Sequence, residues 1–160
     1  MKDPNSKLVF SNTDVEDFML VWNTLSTKEK KSLLFSMLEG GLVTKLHHLA
    51  RSGVDLVHSD EDGSNLLHHA AFSDNSDVIE CLLYIGCDIS KQDSFGRTPL
   101  HIASSHGNIE TLKKLLKNQK TWFIKDKLGN SYLDLAKEGY KMRIYLLSLL
   151  IFIKTRVFRF

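Results

Sequence analysis

A segment of this chain recurs every 33 residues, and that interval restricts the fold more than any other feature. Asp93-Ser-Phe-Gly96-Arg-Thr98-Pro99-Leu100-His101-Ile-Ala103 is echoed upstream by Asp60-Glu-Asp-Gly63-Ser-Asn-Leu-Leu67-His68-His-Ala70. Downstream it is echoed by Asp126-Lys-Leu-Gly129-Asn-Ser-Tyr-Leu133-Asp-Leu-Ala136. A unit this short cannot bury an apolar face by itself, so successive copies must stack into a solenoid, whose open surface suits binding rather than catalysis.

Each unit carries signals for two short helices. In 93–125, Leu100-His101-Ile-Ala103 precedes the turn Gly107-Asn108, and Ile109, Leu112, Leu115 and Leu116 then fall on one helical face. The preceding unit matches with Val78, Ile79, Leu82 and Leu83, and Gly86 suits the left-handed residue that follows a helix end. Thr98 is placed to cap the first helix with Pro99 at its first position, where a missing N–H costs nothing. Residues 86–95 read as an extended loop that bends back in a turn.

Gly96-x-Thr98-Pro99-Leu100-His101-x-Ala103, with Gly107-Asn108 and Leu115-Leu116 following, resembles the ankyrin repeat. The resemblance implies an all-α solenoid of about four helix-turn-helix repeats with β-hairpin-like loops, curved so that loop tips and first helices line a concave face. It also implies that Gly63, His68, Gly96, Thr98, Pro99, His101, Gly107 and Gly129 are structural signature positions. His68 and His101 share one slot, in which the imidazole of ankyrin-like stacks hydrogen-bonds loop backbone and ties neighbouring tips together. The match is strong at 93–125 and good at 60–92, where Asn65-Leu66 replaces Thr-Pro. It is weaker at 126–160, where Asp134 stands in the histidine slot.

Subtracting the period from Leu82, Gly86 and Asp88 gives Leu49, Gly53 and Asp55, so 27–59 reads as a degenerate repeat. Leu42–Asp55 would hold its second helix and exit, and Leu34–Leu38 its first. Residues 1–26 read as an extension whose helix, over 13–25, caps the array. Thr13-Asp-Val-Glu16 has capping-box form, as does Ser26-Thr-Lys-Glu29 ahead of the next helix. At the far end, Ile144, Leu146, Leu147, Leu149, Leu150, Ile151, Phe152 and Ile153 surround a helix instead of striping it. Such a helix wants burial on more than one side. Three ways to meet that need stay open: packing of the tail 157–160, docking of a partner, or self-association.

Chemical motifs are sparse. Seven histidines include the adjacent pairs His47-His48 and His68-His69, and neighbours on a helix point apart. The chain has no Cys-x-x-Cys, His-Glu-x-x-His, Gly-x-Ser-x-Gly or phosphate-binding Gly-Lys-Ser/Thr sequence. Neither a catalytic residue, a metal site, a small-molecule substrate nor a cofactor is expected. Cys81 and Cys87 are too few for a disulfide framework and fit reduced thiols. The polar opening Met1-Lys-Asp-Pro-Asn-Ser argues against a secretory signal, and the apolar run 144–153 is shorter than the roughly 20 residues of a bilayer span. A cytoplasmic protein that also reaches the nucleus is expected, with no membrane contact.

The net charge of +2 conceals an asymmetry. Residues 1–112 hold 9 Lys or Arg against 16 Asp or Glu, and residues 113–160 hold 12 against 3, giving −7 and +9. The basic half, with Trp122, Phe123, Tyr132 and Tyr140 nearby, raises nucleic acid as a ligand. Lys113, Lys114, Lys117 and Lys120, however, lie on and just after a helix whose other face is apolar, as a solvated outer face would. A protein partner is favoured.

Aligned with ankyrin repeats, positions two, three and five of each unit and the ends of the first helices face the concave side. They supply the expected partner-binding residues Glu61, Asp62, Phe72, Ser94, Phe95, Arg97, Ser105, His106, Lys127 and Leu128. The strip runs from acidic tips through Phe95 and Arg97 to Lys125 and Lys127. The run Leu46-His-His-Leu-Ala-Arg-Ser-Gly53 ahead of the good repeats is similar to the inhibitor-of-κB-like ankyrin proteins of insect polydnaviruses, the bracoviruses and ichnoviruses. That likeness implies a truncated mimic that holds a host NF-κB-type, Rel-homology transcription factor and suppresses immune signalling in the host cell. This chain has no Asp-Ser-Gly-x-x-Ser degradation signal and fewer repeats than cellular inhibitors of that class. An adaptor with an unrelated partner, and a self-associating assembly subunit, are the competing expectations.

Overall fold

The computed structural model describes residues 15–39, 49 and 59–157. The second helix expected at 42–55, the histidines at 47 and 48, the start of the first capping box at Thr13, and the tail from Phe158 lie outside them. Among the described residues there is no strand, and the chain forms an all-helical array.

Two helices open it: α1, Val15–Thr24, and α2, Thr27–Glu39. Trp22 is buried with Leu34, Met37 and Leu49, which ties α1 to the array by its apolar face. The expected capping box separates the two helices. The Ser26 backbone N–H donates to Glu29 Oε2 at 2.8 Å, and the Glu29 N–H points back at Ser26 Oγ at 3.4 Å.

The two well-matched units each give a helix pair. α3, Leu66–Phe72, and α4, Ser76–Ile85, form the first, and α5, Pro99–His106, and α6, Ile109–Leu115, the second. α3 packs on α5 and α4 on α6, so like helices meet across the boundary between these two layers. Leu67, Ile79, Leu82, Leu100, Leu112, Leu115 and Leu116 are fully buried there; of the two expected stripes, Val78, Ile79, Leu82, Leu112, Leu115 and Leu116 are buried, while Leu83 and Ile109 are half-buried. Burying each such side chain contributes about 1.5–3 kcal/mol before entropy is subtracted. α4 ends where Gly86 takes φ 95°, and the next N–H, of Cys87, returns to the Leu82 carbonyl at 3.0 Å.

The last unit departs from the pattern. A short 3₁₀ turn, Gln119–Thr121, leads into it, residues 132–135 make turns in place of a first helix, and α7, Lys141–Val157, closes the array. Asp134 explains how the local cap survives without the histidine. Its carboxylate accepts from the Ser131 N–H at 2.8 Å and from the Ser131 hydroxyl at 2.6 Å. A carboxylate can cap its own turn but has no second ring nitrogen to reach a following tip.

Candidate protein-binding strip

The tips are built by one carboxylate used three times. Asp93 Oδ1 accepts the N–H groups of Phe95 at 2.9 Å and Arg97 at 2.8 Å, while the Asp93 carbonyl takes the Gly96 N–H. Asp126 repeats this with Leu128, Asn130 and Gly129, and Asp60 binds the Ser64 and Gly63 N–H groups in the same way. Gly63, Gly96 and Gly129 sit at φ 74°, 79° and 84°, at equivalent bends of successive layers. A backbone ladder joins the tips: Ser94 N–H donates to the Asp62 carbonyl at 2.7 Å, and Lys127 N–H to the Phe95 carbonyl at 3.0 Å.

Behind the ladder sit the two histidines. His68 Nδ1 accepts the Asn65 N–H at 3.1 Å, and Nε2 lies 2.9 Å from the Arg97 carbonyl of the next tip. His101 takes the Thr98 N–H at 3.2 Å and reaches the Asn130 carbonyl at 3.3 Å, with Thr98 Oγ1 2.8 Å from its Nδ1. Each ring therefore caps its own helix with one nitrogen and holds the next layer with the other, which requires the neutral tautomer protonated on Nε2. Asn65 performs the cap where Thr98 stands one repeat later, since its side-chain oxygen accepts the His68 N–H.

Burial pushes the pKa of both imidazoles below the ordinary 6.5, against the opposing effects of the carbonyls and nearby carboxylates. The folded state resists protonation, so unfolding takes up protons below the unfolded value, and stability falls as pH drops from about 6.5 toward the lower folded values. We expect the urea midpoint to fall between pH 7.5 and 5.0. The slope should approach at most about 2.7 kcal/mol per pH unit, the limit for two protons taken up together. The measurement is denaturation across that pH range, with His68→Gln and His101→Gln together flattening it.

On this scaffold the expected binding residues fall into two clusters. At the tips, Phe95 is 62% exposed and Leu128 87%. The Arg97 guanidinium lies 4.7 Å from the Phe95 ring centre and pairs with the buried Asp93 carboxylate at 2.8 Å. Glu61, Asp62, Ser94 and Lys127 are exposed beside them, joined through the ladder. The second cluster lies at the far ends of α3 and α5, about 10 Å along a seven-residue helix. There Phe72, 63% exposed, meets the His106 ring edge-on at 4.7 Å, and the Ser105 hydroxyl donates to the Ile102 carbonyl.

Sequence reasoning passed over the residues that brace these clusters. Asn108 Nδ2 donates to the Ala71 carbonyl at 2.7 Å and the Phe72 carbonyl at 3.1 Å, fixing the end of α3 under the aromatic pair. Gln92 Nε2 reaches the Lys125 carbonyl at 3.0 Å, one full period away. Asn108 shares its slot with Asn75, whose side chain caps α4, so the period itself carried a signal there. On the outer side, Lys114 joins two units through Glu80 at 2.7 Å and Asp77 at 3.3 Å. Among the described residues no group of three or more His, Cys, Asp or Glu could hold a metal ion. Cys81 is buried, which raises its thiol pKa. None of the described helices is long and apolar enough to cross a membrane.

A tip ladder, paired helices and a histidine tie repeated at one interval define a repeat array built to present loops. A family model described as ankyrin repeats in three copies matches residues 30–126 and 67–156, and the chain belongs to that family. Its relatives are larger proteins. It is 36% identical over 94 residues to the ankyrin repeat protein nuc-2 of Neurospora crassa, covering 58% of this chain and 9% of that one. It is 38% identical over 77 residues to inversin of Gallus gallus, covering 48% and 7%. Against the ADP-ribosylation factor GTPase-activating protein AGD4 of Arabidopsis thaliana the identity is 41% over 76 residues, covering 48% and 10%. The chain thus spans a tenth or less of each of these relatives. As an ankyrin repeat array it is a protein-binding module.

Proposed function

We propose that the strip from Glu61 and Asp62 through Phe95, Arg97 and Phe72 to Lys127 and Leu128 grips a folded protein partner, and that this partner is a Rel-homology transcription factor held as by an inhibitor of κB. The observation that supports a binding strip is the bracing of its exposed aromatic members by neighbouring side chains. Phe95 is exposed, yet its backbone is held by Asp93 and the ladder, and its ring by Arg97. A preset aromatic loses little freedom on binding, and buried aromatics and Arg dominate interface energies. The choice of a Rel protein rests on the likeness of residues 46–53 and the repeats after them to the viral inhibitors. In this reading the chain acts in the cytoplasm and nucleus of the host cell, where it blocks immune signalling.

The test is titration calorimetry with a purified Rel-homology protein. Phe95→Ala and Arg97→Ala should each weaken binding by about tenfold or more, the scale of a hot-spot residue. Melting should barely move for Phe95→Ala, since that ring is already exposed. Failure of every Rel protein tested to bind removes the assignment of partner, and binding untouched by Phe95→Ala removes the strip.

A second reading, an adaptor with an unrelated partner, is favoured by the company the repeats keep. They occur as a small part of a GTPase-activating protein, of inversin and of nuc-2, proteins that share the array and differ in name and length.

A further inference from the structure

α7 has two apolar faces, and the array uses only one. Ile144 is fully buried, Phe152 lies 5.8 Å from the Trp122 ring, and the Tyr132 hydroxyl donates to Ser148 Oγ at 3.0 Å, which together seat the inner face. Directly opposite, Met142, Leu146, Leu149 and Ile153 are 41–69% exposed. Their spacing of four, three and four residues is a heptad seam, flanked by the exposed Tyr145 and Leu150. The seam is about 17 Å long at 1.5 Å per residue.

Charge identifies what fits it. Between Gly139 and Phe160 the sequence holds five Lys or Arg and no Asp or Glu. Arg143 and Lys154 are exposed along one edge of the seam, and beyond Lys154 opens a groove of about 550 Å³ lined in part by Lys117 and by Lys114, whose charge is already paired with Glu80 and Asp77. A second copy of the same face is a poor occupant. Antiparallel pairing centred on Leu146 and Leu149 would bring the Arg143 and Lys154 edges of the two copies together, with no carboxylate between. A facing helix can receive these four side chains as knobs into holes.

We infer that the outer face of α7 is a second docking site, distinct from the tip strip, for an amphipathic helix of another protein that carries an apolar heptad seam edged with Asp and Glu. The probe is a fluorescein-labelled peptide of about three heptads, with Leu at the seam positions and Glu on the flanks, titrated with the full chain. A control peptide carries Lys in place of Glu. The acidic peptide should bind at least tenfold tighter than the basic one, and raising salt from about 50 to about 200 mM should weaken it. Leu146→Asp with Leu149→Asp should abolish binding. Arg143→Glu with Lys154→Glu alters only exposed side chains, which keeps folding out of the comparison, and should reverse the preference between peptides. Equal binding of both peptides, or binding of neither, overturns the inference. So does attachment to phosphatidylserine vesicles without peptide binding, or concentration-dependent sedimentation of the chain alone that Leu146→Asp returns to monomer.

Discussion

Gly96→Ala should be among the most damaging single substitutions at the tips, lowering stability by about 3 kcal/mol or more in urea denaturation. Two costs add. At φ 79° a residue with a Cβ pays about 1–2 kcal/mol for left-handed backbone. The added Cβ would also stand 2.7 Å from the Lys127 nitrogen and 3.1 Å from the Asp126 carbonyl carbon, both main-chain atoms of the next tip. Backbone cannot swing aside as a flexible side chain can, so the layers must part and strain the Lys127 N–H bond to the Phe95 carbonyl. Gly129→Ala provides the internal control. Its φ is 84°, but no atom stands within 4 Å of the new Cβ, so only the conformational cost of about 1–2 kcal/mol applies. If the two substitutions cost the same, close approach of the tips is not what selects glycine at 96.

Close approach between like positions is also what makes this fold legible in the sequence. The period specified the tips because one carboxylate, one glycine and one ring do the same work in successive layers, so each copy testifies for the others. Gly96 reports the approach of a neighbouring main chain, and His101 reports both its own cap and the next tip. Residues whose partners lie across a layer left a fainter trace. Asn108 looks like a helix cap, yet its amide reaches back to α3, and nothing local in Gly107-Asn108 says so. Asn65 was legible as a departure from Thr-Pro but not as an equivalent cap, because the repeat pattern names residues whereas the backbone asks only for an acceptor oxygen. In the last unit Asp134 signalled a lost tie, but not the loss of the whole helix around it. The excess of apolar residues at 144–153 was plain from composition; which half of them faces solvent depended on Trp122 and Tyr132 filling one side.

The candidate strip was legible to a different degree. Alignment to the repeat placed Phe95 and Phe72 on an open surface, where the structure finds them exposed. Their internal partners are set by the fold and leave no mark in the row of positions. Arg97 stacks on Phe95 while its charge is anchored by Asp93, and His106 meets Phe72 from the next helix along. Both pairings cross-link residues that the sequence offers only as a row of positions. A row of independent side chains would have to be ordered on binding, whereas these are ordered beforehand.

Leu112→Ala should cost about 3–4 kcal/mol, within the range for emptying a leucine site in a tight core, and its consequence should reach beyond that number. Leu112 is fully buried on α6, which packs against α4 on one side and α7 on the other. In a solenoid each layer touches only its neighbours, so stability is a sum of layer terms and boundary terms, and a cavity at an interior boundary weakens the coupling on both sides. The variant should therefore unfold over a broader urea range than the parent, with Trp122 fluorescence, which reports the C-terminal layers, departing before Trp22 fluorescence. Leu149→Ala, on the exposed face of the next helix, should leave both midpoint and breadth close to those of the parent. Two single-tryptophan variants, keeping Trp22 in one and Trp122 in the other, would resolve the two ends. Coincident transitions in the Leu112→Ala background would mean that the array folds as one indivisible unit, with coupling between layers stronger than a single leucine can relieve.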